Sequence, residues 1–395
     1  MLRWLLSKSV RQGHELLKRI EKHLRAQDDI LTIANRQKIE QAIDEFRKIL
    51  SDPNTPKKRI DSAGIELALT ADKYFKIYPN SSVRENVDVA LVALVVALAI
   101  RTFFLQPMAI PTGSMQPSLF GITHQDLRGS ETTNYPSIVG RIYKFFVNGE
   151  SYYHVIAKED GVFEGAGEPK QFLPFVQKQQ FKVGSQIYSV WLPPDSLFAP
   201  PYNRSGIVVG QKFKKGESII KLKVTSGDRL FVDRVAYNIR HPKRGDIIIF
   251  ESTGIPNITQ NTHYIKRLIG LGGETIQIGD DRHVVINGTR LDAATPHFEN
   301  LYAFKTPPKE DHYSGHVNDK IGRQFGKPEV PHYAPHFSDG LAKFTVRTNH
   351  LFVCGDNTMS SYDSRYWGDF PKEKAVGRHS FVFWPISERF GWGVR

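Results

Sequence analysis

The sequence predicts a mainly β chain with a helical N-terminal region and one membrane-spanning helix. The helical region is read from apolar spacing: Leu16, Leu17, Ile20 and Leu24 share one face, and so do Ile39, Ile43, Phe46 and Leu50. The spanning helix is read from Val89–Ile100, twelve apolar residues without interruption. The β texture begins after residue 120, where helical periodicity fades. Short apolar runs such as GDIIIF (245–250) and LFVCGDN (351–357) are placed there like strands, the second running into a turn.

Met1–Leu6 reads MLRWLL and is followed by Lys8 and Arg11. It is too short and too charged for a cleavable signal, so an uncleaved start is expected. Residues 14–50 read as amphipathic helix, SDPNTPKKR (51–59) breaks the pattern with two prolines, and a second helical run starts at Ser62. Region 1–85 carries 17 Lys and Arg against 12 Asp and Glu, which reads as a helical hairpin with solvated charged faces. The apolar run alone falls short of the roughly 20 residues that span a bilayer. Extended over Val87–Ile110 it is long enough, but it then includes Asp88, Arg101, Thr102 and Gln106. Arg101 can reach an interface through its long stem. Lys73, Lys76 and Arg84 precede the segment, and no Lys or Arg occurs from 102 to 127. The positive-inside rule then puts the N-terminus in the cytoplasm and the chain beyond about residue 107 outside. The expected organisation is a cytosolic helical region 1–85, a transmembrane anchor 86–107 and an extracytoplasmic β domain 108–395.

The chain has 395 residues, 40% of them hydrophobic, enough for a substantial core and too many for a disordered chain. Its net charge of +12 is explained by anionic lipid near the anchor and does not require nucleic acid. One cysteine, Cys354, excludes an intrachain disulfide framework and a CxxC site. Within the β region, Asn148-Gly149 in VGRIYKFFVNGESYYHVI and Asn287-Gly288 in HVVINGTRL each read as a hairpin turn. Two stretches, about 121–220 and 281–345, read as insertions rich in aromatic residues, Pro and Gly.

Chemistry gathers in three stretches. IPTGSMQPSL (110–119) follows the apolar segment directly and carries hydroxyls at Thr112, Ser114 and Ser118. A serine nucleophile needs a base and oxyanion donors. The G-x-S-x-G pattern is absent around Ser114. A histidine base, His263 or His379, stays open because triads occur in several chain orders. Lys266 lies in HYIKRLIGLGGE (263–274), where strand alternation puts it on one face with Leu268, and Ile265 with Arg267 on the other. A free lysine has a pKa of about 10.4, and burial can lower it by up to about 3–5. GDNTMSSYDSRYWG (355–368) packs hydroxyls, carboxylates, an amide and an arginine at a strand end. It reads equally as a functional loop and as an Asx-turn with an Asp363–Arg365 pair. His312/His316 and His332/His336 have four-residue spacing, but Gly315 and Pro335 argue against helix there. No metal and no cofactor is expected.

In order along the chain, the apolar span, IPTGSMQPSL, GDRLFVDRVAY (227–237), HPKRGDIIIF (241–250), YIKR (264–267) and GDNTMSSYDSRYWG resemble the type I signal peptidases, membrane-bound Ser-Lys proteases of bacteria. The resemblance covers about residues 87–120, 227–280 and 351–384. It implies an antiparallel two-sheet catalytic domain that removes signal peptides from secreted preproteins, at the bacterial plasma membrane. It makes Ser114 the nucleophile and Lys266 the general base. Thr112 would join the Ser114 backbone N–H in the oxyanion hole. Ser361, or its neighbour Ser360, would orient the lysine, Asp363 and Arg365 would support the site, and Ile110, Met115, Tyr264 and Ile265 would line the substrate cleft. The partners implied are preproteins and membrane lipid. GLGGE, with Gly272 where the family usually has proline, is a departure that bears on turn rigidity. Two other readings remain: a non-catalytic anchored β domain that binds secreted proteins, and a self-cleaving LexA-like Ser-Lys protease. The apolar span argues against the second, since such proteases are cytosolic.

Overall fold

The computed structural model describes residues 7–76, 81–129, 135–304, 315–327 and 329–393. It divides into two compact units, Met1–Val96 and Ala97–Arg395.

The first unit packs α1 (Lys8–Ala26), α2 (Ile33–Ser51) and α3 (Lys57–Tyr74) around Ile20, Ile39, Phe46, Ile60 and Leu67. The single helix expected over 14–50 is in fact two. The chain leaves α1 at Gln27, and Thr32, whose hydroxyl accepts from the Asn35 N–H, starts α2. The expected hairpin therefore becomes three helices. A fourth helix, α4 (Ser81–Ala99), continues as a π-helical turn (Ile100–Phe104) and passes without a spacer into β1 (Leu105–Ala109). Val83–Phe104, 22 residues, is the one helix among the described residues long and apolar enough to cross a membrane, and its apolar window is wholly unburied. A helix that is apolar all round needs an apolar surrounding, and its backbone bonds are all satisfied internally.

The second unit is mainly antiparallel β. After β1 come β2 (Thr123–Asp126), helix α5 (Ile138–Asn148) and β3 (Glu150–Ile156). Five strands follow: β4 (Gly161–Ala166), β5 (Lys170–Leu173), β6 (Val176–Val183), β7 (Gln186–Trp191) and β8 (Lys212–Phe213). Next are β9 (Ser218–Thr225), β10 (Arg229–Asp233), β11 (Ile247–Glu251) and β12 (His263–Leu271). The chain continues through β13 (Thr275–Ile278), β14 (Val284–Ile286), β15 (Thr289–Arg290) and β16 (Lys343–Thr345). It ends with β17 (His350–Cys354), β18 (Phe370–Pro371), β19 (Ala375–Trp384) and β20 (Gly391–Trp392).

The main sheet runs β1-β10-β19-β11-β12-β17-β18, with β20 added beside β19. Among the described residues there are four sheets rather than the two expected. The extra ones come from the two long stretches. Strands β2, β9 and β3 form one sheet and β4–β8 another, over a core that includes Phe163, Phe181, Val183 and Ile219. Strands β13–β16 form the last, over Ile276, Ile278, Val284 and Phe337. Of the two expected Asn-Gly hairpins, one forms: Asn287 (φ 49°) and Gly288 (φ 85°) join β14 to β15. The other does not. Residues before Gly149 wind into α5, and Gly149 (φ 67°) is its left-handed cap. The apolar residues of that stretch fit a helix period as well as a strand run, and Ser137 caps it by accepting from Gly140 N–H.

The segment between β1 and β2 is clamped by close backbone approach. A Cβ at Gly227 would lie 1.8 Å from the Ile110 carbonyl oxygen, and one at Gly121 2.2 Å from the Thr112 carbonyl carbon. Neither neighbour is a flexible side-chain tip. Gly227→Ala is expected to lower stability by at least about 1–3 kcal/mol, the usual cost of overpacking. Gly129→Ala, with open space around it, is the neutral control. Urea unfolding of the two variants checks this.

Candidate active site

The stretch after β1 turns tightly. Gly113–Met115 is a 3-10 turn, entered through Thr112 in extended conformation. Ile110 N–H donates to the Asp228 carbonyl at 2.9 Å, and Ile122 N–H to the Pro111 carbonyl at 3.2 Å. From the other side, Asn357 N–H donates to the Ser114 carbonyl at 3.0 Å, and Asn357 Nδ2 to the Gly113 carbonyl at 3.2 Å. The backbone of Ser114 is thus held by the loop that follows β17.

Strand β12 brings the second residue. It is a central strand, paired with β11 (Lys266 opposite Ile248) and β17 (Arg267 opposite Cys354). Lys266 Nζ donates to Ser114 Oγ at 2.7 Å, across 152 residues of sequence. Both side chains are buried, Ser114 at 6% exposure and Lys266 at 4%. Burial drives the Lys266 pKa down to about 8, against the opposing pull of the Asp363 and Asp356 carboxylates. The Ser114 hydroxyl meets this amine, not a ring nitrogen of His263 or His379.

Two buried ion pairs flank the site. Arg365 grips Asp363 through Nε and Nη2, both at 2.9 Å, and neither residue is exposed. Arg365 and a bond from Gly355 N–H hold the Asp363 carboxyl below the usual range against the opposing effect of burial. The other pair was not picked out from the sequence. Arg267, read there only as the residue facing away from Lys266, is 1% exposed. It binds Asp356 through Nε and Nη2, both at 2.7 Å. Its remaining donors reach Ser118 Oγ at 2.9 Å and the carbonyls of Gly245 and His297. The available signal was an arginine inside an apolar strand, which demands a buried carboxylate. Asp356, directly after the apolar run LFVCG, was the natural one.

The other expected site residues fall as follows. Thr112 is exposed and its side chain makes no capping bond to the turn. Ser361 is buried and Ser360 exposed, so only Ser361 faces the interior. Gly355 sits between the Ser361 hydroxyl and the Ser114 carbonyl: a Cβ there would lie 2.2 and 2.5 Å from them. The Ser361 hydroxyl is buried and makes no hydrogen bond, to Lys266 or to another group, among the described residues. Ile110 and Met115, expected to line a cleft, are core residues at 3% and 0% exposure, packed with Leu119, Leu230 and Ile247. Tyr264 and Ile265 are half-buried, Tyr264 against Phe250 and Ile265 against the Ile110 cluster. Of the spaced histidines, His312 lies outside the described residues. His316 is buried against the Tyr302 hydroxyl at 2.8 Å, with burial pushing its pKa down to about 3. His332 pairs with Asp319.

A family model described as signal peptidase, peptidase S26, matches residues 208–384. Lys266, Arg267 and the 355–368 loop lie within that match, and Ser114 lies before it. Signal peptidase I S of Bacillus subtilis (strain 168) is 33% identical over 162 residues, 41% of this chain and 70% of that protein. The chain belongs to the signal peptidase I family. Signal peptidase I of Leptolyngbya laminosa is 34% identical over 163 residues, which is 40% of this chain and 62% of that protein. The probable signal peptidase I-2 of Synechocystis is 32% identical over 56% of its length. For these two relatives the chain spans less than two thirds of the protein it matches. A crystal structure of a signal peptidase I from Enterococcus faecalis is 29% identical, covering 35% of this chain and 97% of that one with a TM-score of 0.23.

Removing Arg267 leaves a buried, uncompensated carboxylate. Arg267→Met is expected to destabilise the protein by about 3–5 kcal/mol. Arg267→Met with Asp356→Leu should recover much of that loss, since the pair is then replaced by apolar groups. A urea-unfolding double-mutant cycle measures both.

Proposed function

We propose that this chain is a membrane-bound serine endopeptidase that removes N-terminal signal peptides from secreted preproteins by a Ser114–Lys266 dyad. The carrying observation is the 2.7 Å contact between Lys266 Nζ and Ser114 Oγ inside a buried site. Family membership supports the same reading.

In the proposed reaction, neutral Lys266 turns its lone pair to the Ser114 hydroxyl and takes its proton. Ser114 Oγ attacks the scissile carbonyl carbon. The developing oxyanion is held by the Ser114 N–H and the Thr112 hydroxyl, whose exposure leaves it free to turn toward a bound peptide. The tetrahedral species collapses to an ester on Ser114. The leaving amine takes the proton from Lys266, and the mature protein departs. Lys266 then takes a proton from water, which attacks the ester, and returns it to Ser114 Oγ as the C–O bond breaks and the signal peptide is released. Asp363, Arg365 and Ser361 act as positioning groups. Strand β1, paired on one side only with β10, offers an edge for an extended peptide beside the Ser114 turn. Tyr264 and Ile265 contribute apolar surface to the cleft.

The proposed topology keeps 1–85 in the cytoplasm, uses 86–107 as the anchor and places 108–395 outside, facing lipid and preprotein. Lys73, Lys76 and Arg84 before the apolar helix support that orientation.

Cleavage of a purified preprotein by the full-length protein in detergent tests the reading. Ser114→Ala and Lys266→Met should each lower kcat on the order of 10⁶-fold, as loss of a nucleophile or base does in a serine protease. Near-normal processing by either variant would refute the dyad. Thr112→Val should lower kcat by about 10²–10³-fold with KM nearly unchanged, because its hydroxyl acts on the transition state.

The pH dependence has a defined sign. With Lys266 titrating near 8, about a tenth of the molecules hold the neutral base at pH 7. Turnover should rise with pH and level off above about 9. Stability follows the same group. Its folded pKa is below the unfolded value, so the unfolded chain binds the extra proton between about pH 8 and 10.4. Stability from this group rises with pH across that window, and below it the full cost of burying the charge remains. Lys266→Met should therefore be inactive yet more stable than wild type at pH 7, by up to about 3 kcal/mol, in urea unfolding.

A further inference from the structure

Helix α5 (Ile138–Asn148) is amphipathic, but its faces are inverted for a helix in water. Arg141, Lys144 and Asn148 are half-buried against the protein. Ile138, Val139, Ile142, Tyr143, Phe145 and Phe146 face outward, each 45–77% exposed. The protein fixes this orientation. The Arg141 guanidinium lies over the Tyr135 ring at 5.4 Å, and Lys144 Nζ donates to the Tyr152 hydroxyl at 3.2 Å beside Glu150. Trp384 Nε1 donates to the Phe146 carbonyl at 2.7 Å, and Ile386 N–H to the Val147 carbonyl at 2.8 Å. The helix cannot roll to hide its apolar side without breaking these bonds. The apolar surface continues past it onto Ile386, and Phe390, edge-on to Phe381 of β19, and Trp392, tilted against the same ring, are exposed as well.

An apolar face of this kind, held outward, must be covered. Two features point to lipid as the cover. The outward side of the helix is rich in aromatic residues, which favour the bilayer interface. The same unit begins with the last turns of the apolar helix, Ala97–Phe104, which run into β1 without a spacer. We propose that α5, with Ile386 and Trp392 beside it, is an interfacial helix that seats the β domain in the headgroup layer of a bilayer. The proposal rests on the reading of Val83–Phe104 as a membrane span. Helix α5 lies outside the 208–384 family match, within the 121–220 stretch that the sequence reads as an insertion.

The test uses the full chain in vesicles of phosphatidylcholine and phosphatidylglycerol that carry nitroxide-labelled lipid. Single cysteines at three exposed positions, Val92→Cys, Val139→Cys and Ala293→Cys, receive a small fluorophore. Cys354 is fully buried and stays unlabelled in the folded protein. The expected result is severalfold stronger quenching at positions 139 and 92 than at 293, with quenching at 139 confined to shallow nitroxides. Adding Ile142→Glu and Phe146→Glu should abolish quenching at 139 and leave that at 92 intact. Quenching at 92 with none at 139 would overturn the docking proposal and leave the span standing; a second copy or a preprotein would then cover α5. No quenching at either position would overturn both readings. Quenching at 139 alone would refute the span on which the proposal rests and overturn it in this form.

Discussion

The Arg267–Asp356 pair is the constraint on which the rest of the site depends. Its guanidinium touches four separate segments: Ser118 beyond the nucleophile turn, Asp356 beyond β17, and the carbonyls at Gly245 and His297. The serine loop, the lysine strand and the 355–368 loop are therefore registered against one planar group. A bidentate pair fixes angle as well as distance, which a lysine in the same place could not do. Every other contact around Ser114, including the two Asn357 bonds, presupposes that the loop carrying Asp356 lies where Arg267 puts it.

Adjacent residues on β12 meet opposite fates for a physical reason. Arg267 has its donors matched by acceptors, so it stays charged although buried. Lys266 has one neutral hydroxyl within reach and carboxylates only at a distance, so burial dominates and its charge is disfavoured. The sheet supplies this difference through alternation alone. One side of the strand meets Asp356 and the other meets Ser114.

Legibility in the sequence followed the range of the interaction. The apolar helix needed only composition, although it ends at Phe104 and residues expected to continue it form β1; the Asn287-Gly288 turn needed only two adjacent residues and stands where it is expected. The stretch before Gly149 is not legible because its apolar residues suit either period, and its outward face has no partner among the described residues to break the tie. Chemistry alone leaves the base for Ser114 open, and the resemblance to a known family is what pairs it with Lys266; nothing local fixes a 2.7 Å contact between residues 152 apart. Ile110 and Met115 flank the nucleophile and are expected to line a cleft; what buries them is packing against Leu230 and Ile247, which lie more than a hundred residues away in sequence. The number of sheets was misjudged because Pro- and Gly-rich insertions do not announce that they carry cores of their own.

The absence of a spacer between α4 and β1 has a mechanical result. From Leu105 to Pro111 the chain is tied residue by residue, first to β10 and then to Asp228 and Ile122. The nucleophile turn is therefore tethered to the β domain itself and not to a slack linker: the position of Ser114 is set by the strand pairing of Leu105–Ala109 and by the two backbone bonds that follow it.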